Sequence, residues 1–209
     1  MADRDAGAAP VAVRRLLPDD APAYRALMLD AYRDHPDAYT SSLGERAAQP
    51  ADWWAWRLLP GDRVAQRVFG AFDGSALVGT AGWQRGDRVK IAHRAELFGM
   101  AVAAGARGRG IGRQVVEALL ADARAAGLST MVLTVTDGNG PAERLYARCG
   151  FRRIGVEPMA VRVDDVWHAK ATMWRRLDEA APGEPAVADA TRASSGSGCG
   201  AATGAAAPG

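Results

Sequence analysis

Between a strand-like run at Ala95 to Ala103 (AELFGMAVA) and an amphipathic stretch that follows it, the chain places Arg107-Gly108-Arg109-Gly110-Ile111-Gly112. No other segment restricts the fold so strongly. Apolar residues at Ile111, Val115, Val116, Leu119 and Leu120 share one face of a helix that the spacing ends near Gly127. Thr130 to Thr136 (TMVLTVT) is a near-continuous apolar, β-branched run, as expected of a strand buried on both faces. A strand, a glycine-rich turn, a helix and a second strand imply a parallel crossover, because parallel neighbours cannot be joined by a tight turn.

The flanking segments read as antiparallel pairs and helices. Val11 to Leu16 alternates, and Pro18-Asp19-Asp20 opens a helix running towards Tyr32, with proline and acids where a helix start favours them. Gln66 to Phe72 and Ala76 to Gln84 are apolar runs joined at Asp73-Gly74, a hairpin signal. Asn139 caps a further helix with Pro141 in its first turn, and Gly150 stops it. That helix aligns Ala142, Leu145, Tyr146 and Cys149 along one side. Strands around Arg152 to Val156 and Val166 to Leu177 follow. The fold class is α/β, a mixed sheet carrying helices.

The chain has 209 residues, 48% hydrophobic and 24% charged, which suits one globular domain with a core. That domain is expected over residues 11–178. Residues 179–209, rich in Ala, Gly, Ser and Pro, and residues 1–10 lack the apolar pattern that would offset ordering entropy, so both are expected to be disordered. The net charge of +2 gives no argument for nucleic acid, and no recognition motif accompanies the scattered arginines. No window approaches the roughly 18 apolar residues of a membrane helix, and the N-terminus has no signal-type stretch. A cytoplasmic protein without a membrane partner is expected. Cys149 and Cys199 are the only cysteines, and His35, His93 and His168 stand apart, so no metal site is expected.

The glycines at 108, 110 and 112 let a ligand approach the backbone, and the unpaired N–H groups of a helix start favour anions. Arg107, Arg109 and Arg113 add positive charge there. A pyrophosphate is the natural guest. A Walker A loop would need Gly-Lys-Ser/Thr, but Gly112 is followed by Arg113-Gln114. A dinucleotide fingerprint would need G-x-G-x-x-G, and this chain reads G-x-G-x-G. Arg107-x-x-Gly110-x-Gly112 resembles instead the CoA-pyrophosphate motif Gln/Arg-x-x-Gly-x-Gly/Ala of the GNAT superfamily of acyltransferases. Asn139-Gly-Pro-Ala142-Glu-Arg-Leu145-Tyr146, then Gly150-Phe151, resembles that family's Asn-x-x-Ala-x-x-Leu-Tyr…Gly-Phe helix. The resemblance covers about Val11 to Leu177.

The resemblance implies a GNAT fold: a mixed sheet of about 6–7 strands flanked by about 4 helices, splayed between the strands at Ala95 and Thr130 to admit acetyl-CoA. It implies that Met100, Ala101 and Val102 meet the cofactor beside a bulge, for which Gly99 is suited. The cofactor's other contacts would be Arg107, Gly108, Arg109, Gly110, Ile111, Gly112, Arg113, Asn139, Ala142 and Tyr146. Glu96 would be the general base for the amine, and Tyr146 the acid for the CoA thiolate. Each residue has a plainer reading: a strand-edge glutamate, a buried aromatic, an N-cap asparagine, loose packing at Gly99.

The acceptor is an amine, of a small molecule or of a protein or peptide; a CoA-binding regulatory module without turnover is the rival class. Trp53, Trp54 and Trp56 lie where relatives wall the acceptor pocket, though helical core packing explains them equally. Arg162, Asp164, Asp165, Trp167 and His168 fall in the last hairpin, which also tends to border the acceptor. Relatives often carry an acid in that last strand, where this chain has Ala169-Lys170. Homodimers are common in the family. No metal is implied.

Overall fold

The computed structural model describes residues 11–60 and 65–178, so both expected disordered termini lie outside the described residues. The strands are β1 (Ala12–Arg15), β2 (Gln66–Asp73), β3 (Ala76–Arg85), β4 (Arg94–Val102), β5 (Thr130–Thr136), β6 (Arg152–Val163) and β7 (Val166–Arg176). The helices are α1 (Ala21–Asp34), α2 (Leu43–Ala47), α3 (Ala51–Trp56), α4 (Ile111–Ala125) and α5 (Gly140–Arg148). Among the described residues they number five, in keeping with the expected four or so, two of them short helices in the segment between α1 and β2. The strands form one sheet in the order β1-β2-β3-β4-β5-β7-β6. Only β4 and β5 are parallel, as the crossover through α4 requires.

Helices cover both faces. On one, α4 buries Ile111, Val115, Val116, Leu119, Leu120 and Ala123 against Ala95, Leu97 and Met131 of the sheet. On the other, Tyr24, Leu27 and Met28 of α1 pack with Trp54 of α3 and with Leu16 and Val68. Strand alternation divides β4 between these layers: Ala95 and Leu97 join the α4 core, while Phe98 packs on the α1 side.

One difference concerns β6. It continues to Val163, well past Val156, with its register shifted between Glu157 and Val161. Pro158 argues against a strand there, but β6 lies at the sheet edge, where a bulge tolerates a residue without an N–H.

The break that matters lies at the sheet centre. β4 and β5 pair only at Arg94–Thr130, Ala95–Met131 and Glu96–Val132, and then diverge. β5 stays bound to β7 along its whole length, from Thr130–Arg176 to Thr136–Lys170, so the gap opens on its β4 side alone. Thr134 departs from the expectation of burial on both faces of β5: it is exposed, because it borders this gap. β4 also slips register against β3 between Thr80 and Gly82, with Gly99 opposite the slip at φ +61°. A left-handed glycine at a bulge kinks the strand away from its former neighbour.

Candidate active site

The divergence leaves a cleft of about 1250 Å³ bordered by α1, β4, the β4–α4 loop, β5 and α5. In an extended strand the N–H and C=O of one residue point the same way, and alternate residues point oppositely. Ala103 N donates to Val78 O at 2.9 Å, towards β3. Met100 and Val102, out of phase with it, therefore aim their backbone groups into the cleft. Their carbonyls bear this out. Tyr39 Oη donates to Met100 O at 2.9 Å, and Arg107 Nε donates to Val102 O at 3.3 Å. The N–H groups of Met100 and Val102 then face the same open space, where an acyl or amide oxygen could accept from them.

The loop from Arg107 to Gly112 lies at the cleft mouth. Gly110 is the N-cap of α4 with φ +75°, a left-handed conformation that costs any residue with a Cβ, and no atom lies within 4 Å of the place a Cβ would take. Gly112 is needed for closeness instead: a Cβ there would stand 2.9 Å from Met100 Cε. Ile111 turns its side chain into the core, leaving only its backbone to the cleft. The free N–H groups of the first turn of α4 thus face the cavity, as an anion requires.

The loop arginines are held more firmly than their charge alone suggests. Arg109 Nη1 is 2.6 Å from Asp73 Oδ2, and Arg113 Nε is 2.7 Å from Glu117 Oε1. Arg107 Nη2 lies 2.8 Å from His35 Nε2. Guanidinium has only donors, so His35 accepts at Nε2 and carries its proton on Nδ1. This contact ties the loop to the end of α1.

From α5, Asn139 caps the helix, with Oδ1 accepting from Ala142 N at 3.2 Å, and both residues line the cleft. Tyr146 also lines it, is 6% exposed, and sets its ring edge-on to Phe151. Burial pushes its phenol above the ordinary range, so it is held protonated. Glu96 borders the cleft at the point of divergence, exposed, accepting from Gln84 Nε2 at 3.2 Å. All the expected site residues therefore line one cavity except Arg109, whose guanidinium turns to Asp73; Ala101 and Ile111 line it as well, although the Ile111 side chain packs into the core.

Three contributors carry no signal in the sequence. Tyr39 stacks on Tyr32 with ring centroids 4.6 Å apart, and burial raises its phenol above the usual value too. His35 is the second. The third is Lys170, 3% exposed, whose Nζ donates to Asp37 O at 2.7 Å and Thr136 Oγ1 at 3.1 Å. Thr136 Oγ1 donates to the same carbonyl at 2.9 Å, so the end of β5 is stapled to the segment that carries Tyr39. Residues 39 and 100 are 61 positions apart, and no spacing in the sequence connects them.

Of the three tryptophans, Trp54 is core and Trp56 is exposed, and Trp53 stacks between arginines. Cys149 is buried and free. Among the described residues, no three His, Cys, Asp or Glu stand close enough to hold a metal ion, and no helix is long and apolar enough to cross a membrane.

The chain resembles an acetyltransferase of the GNAT family from Streptococcus pneumoniae at TM-score 0.73 and 19% identity, over 81% of this chain and 100% of that one. A GNAT superfamily phosphinothricin acetyltransferase from Sinorhizobium meliloti, in complex with acetyl-CoA, aligns at TM-score 0.69 and 19% identity, over 84% and 92%. Among curated proteins, an L-methionine sulfoximine/L-methionine sulfone acetyltransferase of Pseudomonas aeruginosa is 36% identical over 72 residues, 34% of this chain and 42% of that relative's length. Residues 26–151, from α1 through the splayed strands to the end of α5, match the model of the acetyltransferase (GNAT) family, and this chain belongs to that family.

Proposed function

We propose that the protein transfers the acetyl group of acetyl-CoA directly to the primary amine of a small molecule, with both substrates bound in the cleft. The observation that carries this reading is the divergence of β4 from β5. It turns the backbone of Met100 and Val102 towards a cavity whose mouth is the first turn of α4. The loop from Arg107 to Gly112 would receive the pyrophosphate. The Met100 and Val102 N–H groups would hold the pantetheine arm and the oxyanion that forms on attack. The curated relatives are named for small amino-acid derivatives, which favours a small acceptor over a protein.

An amine near neutral pH is mostly protonated and must lose a proton before it attacks. Glu96, at the divergence, accepts that proton directly or through one water. Collapse of the tetrahedral species expels the CoA thiolate, and Tyr146 Oη donates a proton to it. A phenolate in that buried position is disfavoured, but so is a buried thiolate, and the proton bridging the two satisfies both.

Calorimetric titration of acetyl-CoA tests the reading. Wild type and Gly110→Asn should bind, because asparagine tolerates left-handed φ, while Gly110→Trp should not, its side chain filling the phosphate position. Thiol release with small primary amines should follow binding. Absence of binding to wild type in calorimetry and in an independent fluorescence displacement assay would overturn the proposal.

A further inference from the structure

Behind Phe98, which lines the cleft, stands a guanidinium without an acid. Arg57, one residue past α3, is clamped between rings, its Cζ 4.8 Å from the Trp53 centroid and 5.0 Å from the Phe98 centroid. Among the described residues it belongs to no ion pair. The buried Tyr24 hydroxyl lies beside it, and the guanidinium opposes part of the rise that burial gives that phenol's pKa. That hydroxyl is 3.7 Å from where a Cβ on Gly99 would stand, so Arg57 is held beside the β4 bulge. Across Trp53 lies Arg46, its Cζ 4.9 Å from the same ring and its buried Nε without a partner. The adjacent Glu45 accepts from Ser42 N and Oγ at the cap of α2 and makes no ion pair with Arg46.

Two guanidiniums thus sandwich one indole with no carboxylate between them, while Arg33 on the neighbouring helix is paired with both Asp30 and Asp34. Stacking on aromatics offsets part of the cost of such a site. It leaves in-plane N–H donors of Arg57 free, and a planar fork of donors matches a carboxylate.

The position of this fork relative to Glu96 is informative. Phe98 and Glu96 are two residues apart on a regular stretch of β4, pairing with Gly82 and Gln84, so they share a face. Their repeat is roughly 7 Å. A carboxylate on Arg57, over Phe98, and an ammonium on Glu96 can therefore belong to one small zwitterion, whose amine nitrogen and carboxyl carbon are about 2.5 Å apart.

We propose that Arg57 receives the carboxylate of the acceptor while Glu96 takes the proton of its amine, so that the substrate class is free α-amino acids. This rests on the acetyl-transfer reading above. Arg46 adds positive potential behind Trp53 and keeps the indole plate in place. The curated relatives' named substrates, derivatives of L-methionine, carry both groups.

The test compares each proteinogenic L-amino acid, and L-methionine sulfone, with its carboxamide, by thiol release at saturating acetyl-CoA. Wild type should favour at least one acid over its amide by about 10- to 100-fold in kcat/KM, the range of a charged hydrogen bond. In Arg57→Met the ratio should collapse towards unity through a raised KM for the acid, and Arg57→Lys should recover part of it. Acetyl-CoA titration and thermal melting of each variant verify that the fold persists. The inference is overturned if wild type turns over amides as readily as acids, or if Arg57→Met keeps the preference. If amines without a carboxylate are acetylated and no amino acid is, it falls alone and acetyl transfer to amines stands. Should acetyl-CoA bind but no amine of either kind react, the function proposed above falls with it.

Discussion

The two walls of the cleft are built on opposite principles. The wall proposed to face the cofactor is one short segment, Arg107 to Gly112, together with the α5 start, and it offers backbone N–H groups. The wall proposed to face the acceptor gathers side chains from α1, the segment after it and β4, braced by contacts such as Tyr39–Met100 and Lys170–Asp37. A phosphate is one fixed ligand, for which a fixed local spacing of N–H groups suffices. An acceptor varies, and scattered side chains can be exchanged without disturbing the sheet. If this contrast holds, chemistry should fail when residues at the junction of the walls are changed, stability should respond to the staple of the acceptor wall, and charges on the cofactor wall should matter little.

The largest effects are expected at the junction. Tyr146→Phe keeps the ring that packs against Phe151 and should lower kcat by about 10²- to 10³-fold, with far less change in acetyl-CoA affinity. Burial keeps the phenol protonated beyond its ordinary range, so in wild type this acid should cause no loss of kcat as pH rises through 10. Glu96→Gln should cost a comparable factor near pH 7, measured by thiol release. That deficit should shrink as pH approaches the amine's own pKa, because free amine no longer requires a base. Variants that leave kcat untouched would remove the chemistry from the splay and break the comparison at its centre.

What the sequence makes legible follows the same division. The crossover, the hairpin at Asp73-Gly74, the α4 apolar face, the α5 cap and the bulge at Gly99 rest on local periodicity or on residues with special backbone demands, and each is found where expected. The short helices α2 and α3 and the far half of β6 are harder to read. The first are too short for periodicity, and the second contains Pro158 at a tolerant edge. Arg109 illustrates a different failure: its position is local, but its partner, Asp73, lies in a hairpin 36 residues earlier. Lys170 shows the limit most clearly. As a lone lysine in a strand it reads as a surface residue, whereas in the sheet it is enclosed by a carbonyl and a hydroxyl contributed by two other elements.

That lysine supplies an intermediate effect. Burial lowers its pKa, with Asp37 partly opposing, so between the folded value and the ordinary 10.5 the unfolded chain binds more protons than the folded one. Stability from this group therefore rises with pH across that window, by about 1.4 kcal/mol for each pH unit the window spans. Lys170→Met should abolish the rise. Because Thr136 Oγ1 still satisfies Asp37 O, the variant should be within about 2 kcal/mol of wild type at pH 7, the gap moving in favour of wild type towards pH 10. Thermal melting of both proteins across pH 7 to 10 reads the difference. Parallel curves would mean that the acceptor wall is not held by a buried charge.

The smallest effect is expected where charge looks most suggestive. Arg109 lies in the loop proposed to hold the phosphate, yet its guanidinium is paired with Asp73, with the two side chains 36% and 32% exposed. An ion pair so placed contributes roughly 0.2–1 kcal/mol and is screened by salt. Arg109→Ala should consequently lower the melting temperature only slightly. It should also weaken acetyl-CoA binding by less than about tenfold, since N–H groups at the start of α4 supply the main attraction for the pyrophosphate. Titration in low and high salt separates the alternatives. A loss of a hundredfold or more, vanishing at high salt, would mean that Arg109 leaves Asp73 to grip the phosphate, and that the cofactor wall, like the acceptor wall, works by side chains.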